Sequence, residues 1–159
     1  AALTGHLVLS TLHTNDAPSS INRLMNMGIE PFLVATSVHM IVAQRLVRRV
    51  CSSCKEATEA PLGALMNAGF SEKDAKTVRL FKGQGCDRCS NTGYKGRVGL
   101  YEVMEIGDEI RELILSGASS VELRNKAIET GMLSLRGSGL QKIREGVTTV
   151  EEVVRETVQ

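Results

Sequence analysis

The sequence predicts an α/β fold with a metal-stapled insert and a helical end, and three observations carry that prediction. His6-Leu7-Val8-Leu9-Ser10-Thr11 is a short, largely apolar run bounded by Gly5 and a polar cluster, the pattern of a strand buried on both faces of a parallel sheet. A stretch of helical periodicity follows directly. Four cysteines stand in two tight pairs, Cys51-x-x-Cys54 and Cys86-x-x-Cys89, a spacing that predicts a bound metal before any fold is assumed.

In chain order, Asp16 is placed to cap the first helix. Pro18 fits its first turn, Ile21, Leu24 and Met25 recur at helical spacing, and Gly28 supplies the stop. A second helix is expected from about Pro31 to Gln44, with Phe32, Leu33, Val34, Val38, Met40, Ile41 and Val42 spread around the cylinder. Arg45 to Val50 then reads as a strand leading into the first cysteine pair. Pro61 to Gly69 and Ser71 to Thr77 read as short helices, the second capped by Ser71. After the turn formers Asn91 to Gly96, residues Val98, Leu100, Glu102 and Met104 alternate with Gly99, Tyr101, Val103 and Glu105 as a strand would. The rest is helical. Ser119 with Glu122 and Thr148 with Glu151 have capping-box spacing, Ser134 starts a helix reaching about Glu145, and Gly131 and Gly146 separate the pieces. The expected division is an α/β part over 1–50, a metal-stapled insert over 51–96, and a strand with a helical region over 97–159.

Composition bounds the function classes. The 159 residues are 42% apolar and 23% charged, values of an ordinary globular chain of one domain or two small ones. No apolar run approaches the roughly 20 residues that span a bilayer, and the N-terminus lacks the regions of a signal peptide, so the chain reads as cytosolic. A net charge of +1 removes any global case for nucleic-acid binding by charge alone. The absence of an initiator methionine is read as the mark of a piece of something longer.

A two-residue gap lets the chain fold back so that two thiolates face one ion, and a second such knuckle completes a tetrahedral sulfur shell, for which zinc is the natural metal. Four protein ligands leave no open position, so the site reads as structural. The alternatives are two disulfides or four unrelated thiols, against which stands the lack of any secretory context. The insert has few large apolar residues (Leu62, Leu65, Met66, Phe70, Leu80, Phe81). Zinc binding worth about 10–16 kcal/mol, set against a domain's net stability of roughly 5–15 kcal/mol, is therefore expected to hold it together. Lys82, Arg88, Lys95 and Arg97 leave open a nucleic-acid-binding zinc ribbon, but Phe81 and Tyr94 alone make no stacking platform. Lys55, Arg79, Lys82 and Lys95 form either a basic face for an acidic partner or a solvated surface.

Polar groups crowd both ends of the apolar run at the N-terminus. Ligands of open parallel sheets sit beyond the carboxyl ends of strands, where His13, Thr14 and Asn15 would project, so phosphate sensing or water positioning is open to them. The alternative is that His6 and His13 cap strand ends. His39, among apolar neighbours, reads as a core histidine.

The segment Thr4 to Asn15 resembles the histidine box of the secretion ATPase superfamily, the motors of type II secretion and type IV pili. Ile29-Glu30-Pro31-Phe32-Leu33, Ala43-Gln44-Arg45-Leu46-Val47-Arg48, the tetracysteine insert and Gly93 to Glu102 are similar to motifs that recur in that family in this order. The insert sets the chain apart from retraction motors, and Asn15 to Leu24 is closer in wording to the pilus-assembly type than to the type II export type. The resemblance implies the C-terminal part of a RecA-like ATPase core. It also implies a structural Zn2+ on Cys51, Cys54, Cys86 and Cys89, and ATP with Mg2+ in the intact protein. The implied partners are other copies in a homohexamer and an inner-membrane platform protein of the PilC or GspF type. Such a protein is peripheral to the membrane rather than spanning it, and binds no nucleic acid. His13 and His6 match the two histidines of the box. His13 is implied to sense phosphate or orient the attacking water, while His6 is structural or lies at an interface. Thr14 and Asn15 are implied nucleotide contacts; Arg45 either contacts nucleotide or a neighbouring subunit, or stands with Arg48 and Arg49 on a solvated strand edge. No G-x-x-x-x-G-K-[ST] occurs in the chain, so this piece is not expected to hydrolyse ATP alone.

Overall fold

A computed structural model describes residues 1–157 as a mixed α/β chain. It packs as two compact units, each assembled from two separate stretches. Two long strands, β1 (Met40–Val50) and β4 (Tyr94–Glu105), pair with one another and contribute residues to both units. Bonds from Ile106 N–H to the His39 carbonyl and from Cys51 N–H to the Gly93 carbonyl bracket the ribbon and make it antiparallel.

The first unit comprises Ala1–Ala43 and Tyr101–Ser134. Helix α1 (Ala17–Asn26) begins as expected: the Asp16 carboxylate accepts from the Ser19 N–H, Pro18 sits in the first turn, and Gly28 turns left-handed at φ +88°. Helices α2 (Pro31–Ser37), α5 (Asp108–Leu115) and α6 (Ser120–Glu129) complete the unit. Ala17 and Ile21, Ile110 and Ile114, and Leu123 and Ala127 recur at i, i+4. They put one apolar stripe from each helix into a core shared with Val34, Met104 and Ile106. The Ser119–Glu122 capping box is present, each side chain bonded to the other residue's backbone N–H.

Three expectations fail in this unit. Helix α2 stops at Ser37, and Met40 to Gln44 belong to β1. The β-branched pair Ile41 and Val42 suits a pleated surface, and the β4 backbone is there to satisfy it. His39 is consequently exposed rather than core. The run His6 to Thr11 forms no strand and joins no sheet among the described residues, leaving Leu7 and Leu9 86% and 88% exposed. Apolar character favours a strand only where a neighbour supplies ladder hydrogen bonds.

The second unit comprises, among the described residues, Gln44–Leu100 and residues 135–157. Helix α3 (Leu62–Ala68) ends on Gly69 at φ +111°, and Ser71 caps α4 (Glu72–Thr77), both as the sequence predicts. Strands β2 (Lys55–Thr58) and β3 (Leu80–Gly83) are too short to show periodicity and pair antiparallel, Lys55 opposite Gly83 and Thr58 opposite Leu80. Helix α7 (Leu135–Arg144) follows Ser134, and α8 (Val150–Glu156) is capped by Thr149 rather than Thr148. Thr148 instead donates to the Arg48 carbonyl at 2.8 Å. The cysteine region does not stand on metal alone: Leu65, Phe70, Ala75 and Leu80 share a core with Leu140, Ile143 and Val153 of α7 and α8.

Gly139 sets how closely α7 and α8 approach. An added Cβ would fall within van der Waals contact of Val153 Cγ1 and 3.0 Å from its Cγ2, and Val153 is fully buried. Alanine for glycine mid-helix ordinarily gains about 1 kcal/mol. Overpacking of this kind costs about 1–3 kcal/mol, so Gly139→Ala is expected to destabilise the protein on balance, read as a lower urea midpoint at unchanged slope.

Candidate functional site

Both cysteine pairs lie in the second unit, on two knuckles. Cys51 directly follows β1, and its N–H donates to the Gly93 carbonyl at 2.9 Å. The Cys54 carbonyl takes the Gln84 N–H at 3.0 Å, joining the first knuckle to the chain leaving β3. In the second knuckle Ser90 and Asn91 are left-handed at φ +52° and +59°, which turns the Asn91 N–H onto the Cys86 carbonyl at 3.0 Å. Gly93 has to be glycine, with φ +76° and a Cβ position only 2.5 Å from the Gly83 carbonyl oxygen.

The four Sγ atoms lie within 4.8 Å of one another. Three of the separations are Cys51 to Cys86 at 3.9 Å, Cys54 to Cys89 at 3.8 Å and Cys86 to Cys89 at 3.7 Å. Zinc–sulfur bonds of about 2.3 Å at the tetrahedral angle put sulfurs about 3.8 Å apart, so the donor set fits a tetrahedral ion. Disulfides, with sulfurs at about 2.05 Å, do not fit, and all four thiols are free.

Backbone N–H groups are aimed at the sulfurs: Gly85 at Cys54 (3.3 Å), and Cys86 and Gly93 at Cys89 (3.2 and 3.3 Å). Burial pushes the Cys89 thiol up, but the Cys86 and Gly93 N–H groups and the neighbouring thiols outweigh it and bring it down to about 6. The Ser53 N–H, against burial, holds Cys51 below the ordinary thiol range. Burial pushes Cys54 up to about 12 despite the Gly85 N–H, and the other three cysteines add to the rise. Cys89 and Cys51 thus favour the thiolate while Cys54 resists it, and a divalent cation at the centre would let four thiolates coexist.

The same unit holds a buried carboxylate, Glu152, that the residue pattern did not single out. Glu152 on α8 takes Arg48 Nη2 at 2.6 Å and the Arg48 N–H at 3.0 Å, and pairs with Arg155 at 2.7 Å. The Arg48 guanidinium stacks 4.1 Å over the Tyr94 ring, whose hydroxyl meets Thr149 Oγ1 at 3.0 Å. Arg45 is half-buried on β1, whereas Lys55, Arg79, Lys82 and Lys95 are exposed; Lys55 stacks on Phe81 at 4.2 Å.

In the first unit, His6 is exposed with Nδ1 3.0 Å from Thr4 Oγ1, and His13 and Asn15 are exposed. Thr14 is held, its Oγ1 2.7 Å from the buried Ser20 hydroxyl. The structure therefore gathers the four cysteines at one point and strings His6, His13, Thr14 and Asn15 along one segment leading into α1.

A family model described as type II/IV secretion system protein matches residues 1–155. The chain belongs to that family. It is 54% identical over 99% of its length to a type IV pilus assembly ATPase PilB of Myxococcus xanthus, covering 28% of that protein. It is 47% identical over its full length to a PilB of Thermus thermophilus, covering 18%. Against the type II secretion system ATPase E of Vibrio cholerae it is 44% identical over 99%, covering 31%. The chain thus spans less than a third of the length of these relatives. Among the described residues no helix of this family member is long and apolar enough to cross a membrane.

Proposed function

We propose that this chain is the C-terminal part of a cytoplasmic, hexameric ATPase that powers type IV pilus assembly. The supporting observation is identity along the whole chain to pilus assembly ATPases at 54% and 47%, against 44%, 45% and 46% for three type II secretion relatives. Complementation separates those two roles: the intact gene is expected to restore pili to a strain lacking its pilus assembly ATPase and to leave a strain lacking its type II secretion ATPase unrescued. In this reading the run His6 to Thr11 gains sheet neighbours in a RecA-like core, and Cys51, Cys54, Cys86 and Cys89 hold one structural zinc. With no open coordination position that ion contributes folding energy and no chemistry.

Phosphoryl transfer depends on positioning and electrostatics more than on base strength. His13 orients the attacking water or senses the γ-phosphate of bound MgATP. His6 supports the segment, and Thr14, Asn15 and Arg45 contact nucleotide or a neighbouring subunit. In the intact protein His13→Ala is expected to lower turnover about 100-fold, the scale of a misplaced reacting group, with zinc content unchanged. Phosphate release and elemental analysis check the two halves, and wild-type turnover would remove His13 from the mechanism.

A second reading concerns the zinc region alone. Ser52, Ser53, Asp87 and Arg88 at the knuckle tips are exposed, which suits a docking surface for the inner-membrane platform protein without any share in catalysis.

A further inference from the structure

We propose that Glu102 is a positioning residue for the histidine segment: its carboxylate, delivered from β4, fixes the first turn of α1 and hence the point at which His13, Thr14 and Asn15 enter it. The proposal rests on the reading of His13 given above.

Glu102 is 2% exposed and stands on the inward row of β4 between Leu100 and Met104, both buried and apolar. A carboxylate in such a row is costly unless something needs it. What needs it is the Ala17 N–H, which donates to Glu102 Oε1 at 2.8 Å across 85 residues of chain. Ala17 is the first residue of α1, so this N–H has no partner within its own helix, and the carboxylate's charge suits the positive end of the helix dipole.

A second tie comes from α6. Asp16 caps the Ser19 N–H with Oδ1 at 2.8 Å, while its Oδ2 receives Arg124 Nη2 at 2.7 Å. The Ser20 hydroxyl reaches the Asp16 carbonyl at 3.3 Å and the Thr14 hydroxyl at 2.7 Å. Residues 14, 16 and 17 are therefore each bonded in place, two of them by side chains from far along the chain, and His13 is the next residue out. A helix cap needs only Asp16. Glu102 adds a fixed position in space, since it refers the start of α1 to the β4 backbone.

The test uses the intact ATPase with Glu102→Gln, Glu102→Asp and Glu102→Ala, alone and the last combined with His13→Ala. The Gln amide oxygen still reaches the Ala17 N–H, whereas Asp keeps the charge but retracts it by about 1.5 Å, one carbon–carbon bond. Glu102→Gln is expected to keep near wild-type kcat. Asp and Ala are expected to lose about 10- to 100-fold in kcat, with zinc content unchanged. The double variant is expected to be no slower than His13→Ala alone, because a residue acting through His13 has nothing left to position. Full turnover in Glu102→Asp, or losses that multiply in the double variant, would overturn the proposal. Should Glu102→Ala fail to fold, the Gln and Asp pair decides. An unimpaired His13→Ala overturns the histidine reading and this proposal with it. A slow His13→Ala beside a fast Glu102→Asp overturns the positioning role alone.

Discussion

Cys51→Ser in the intact protein is expected to abolish stoichiometric metal and to remove the cooperative melting of the unit that holds the knuckles. Three thiolates keep much less affinity than four, and zinc binding of about 10–16 kcal/mol is as large as the net stability of a whole domain, roughly 5–15 kcal/mol. The loss spreads, because Cys51 is the continuation of β1 and its N–H closes onto Gly93. Turnover and pilus assembly are both expected to fail. Elemental analysis, thermal denaturation with and without chelator, and phosphate release make the comparison. Full turnover with lost assembly would instead support the docking reading of the zinc region, and a metal-free wild type would remove zinc from the account altogether.

Glu152→Ala is expected to cost about 2–3 kcal/mol. Breaking a buried ion pair by removing one partner costs about 3–5 kcal/mol, and the lower figure follows because Arg48 is 42% exposed and its head can rehydrate. The loss extends to the Arg48 N–H, which gives up its acceptor. The pair also makes stability pH-dependent with a definite sign. Burial pushes the Glu152 carboxyl up, but the Arg48 side chain and N–H outweigh it and leave it below the ordinary glutamate value. A carboxyl depressed in the folded state contributes stability fully present above the unfolded value of about 4.3, and loses it as pH falls through the lower folded value. Thiolate protonation and metal release act in the same acid range, so the quantity to read is the difference between wild type and Glu152→Gln in urea titrations. That difference is expected to be largest at neutral pH and to shrink below about pH 4. A difference independent of pH would assign the effect to shape rather than charge.

The elements that were legible in the sequence are those whose cause lies within a few residues. Asp16, Ser71 and Ser119 cap helices because a side-chain oxygen meets an N–H three positions on, and Gly28, Gly69, Gly131 and Gly146 mark stops because their φ is positive. The cysteine cluster was legible for the same reason, since each knuckle is a local fold-back. Thr148-Thr149-Val150-Glu151-Glu152 offers two capping registers of equal local merit. Thr149 wins because Thr148 is drawn to the Arg48 carbonyl and Glu152 to the Arg48 guanidinium, about a hundred residues away along the chain.

Residue types and short spacings thus settle the caps at Asp16, Ser71 and Ser119, the glycine stops and the clustering of the four cysteines, because hydrogen bonds to i+3, left-handed glycines and Cys-x-x-Cys turns involve no distant chain. They leave undetermined whether Val38 to Gln44 coils or extends, whether His6 to Thr11 becomes a strand, and why Glu102 and Glu152 are buried. Those outcomes depend on the β4 backbone, the Ala17 N–H and Arg48, and a strand or a buried carboxylate is stable only where a partner remote in sequence supplies the other half of its hydrogen bonds.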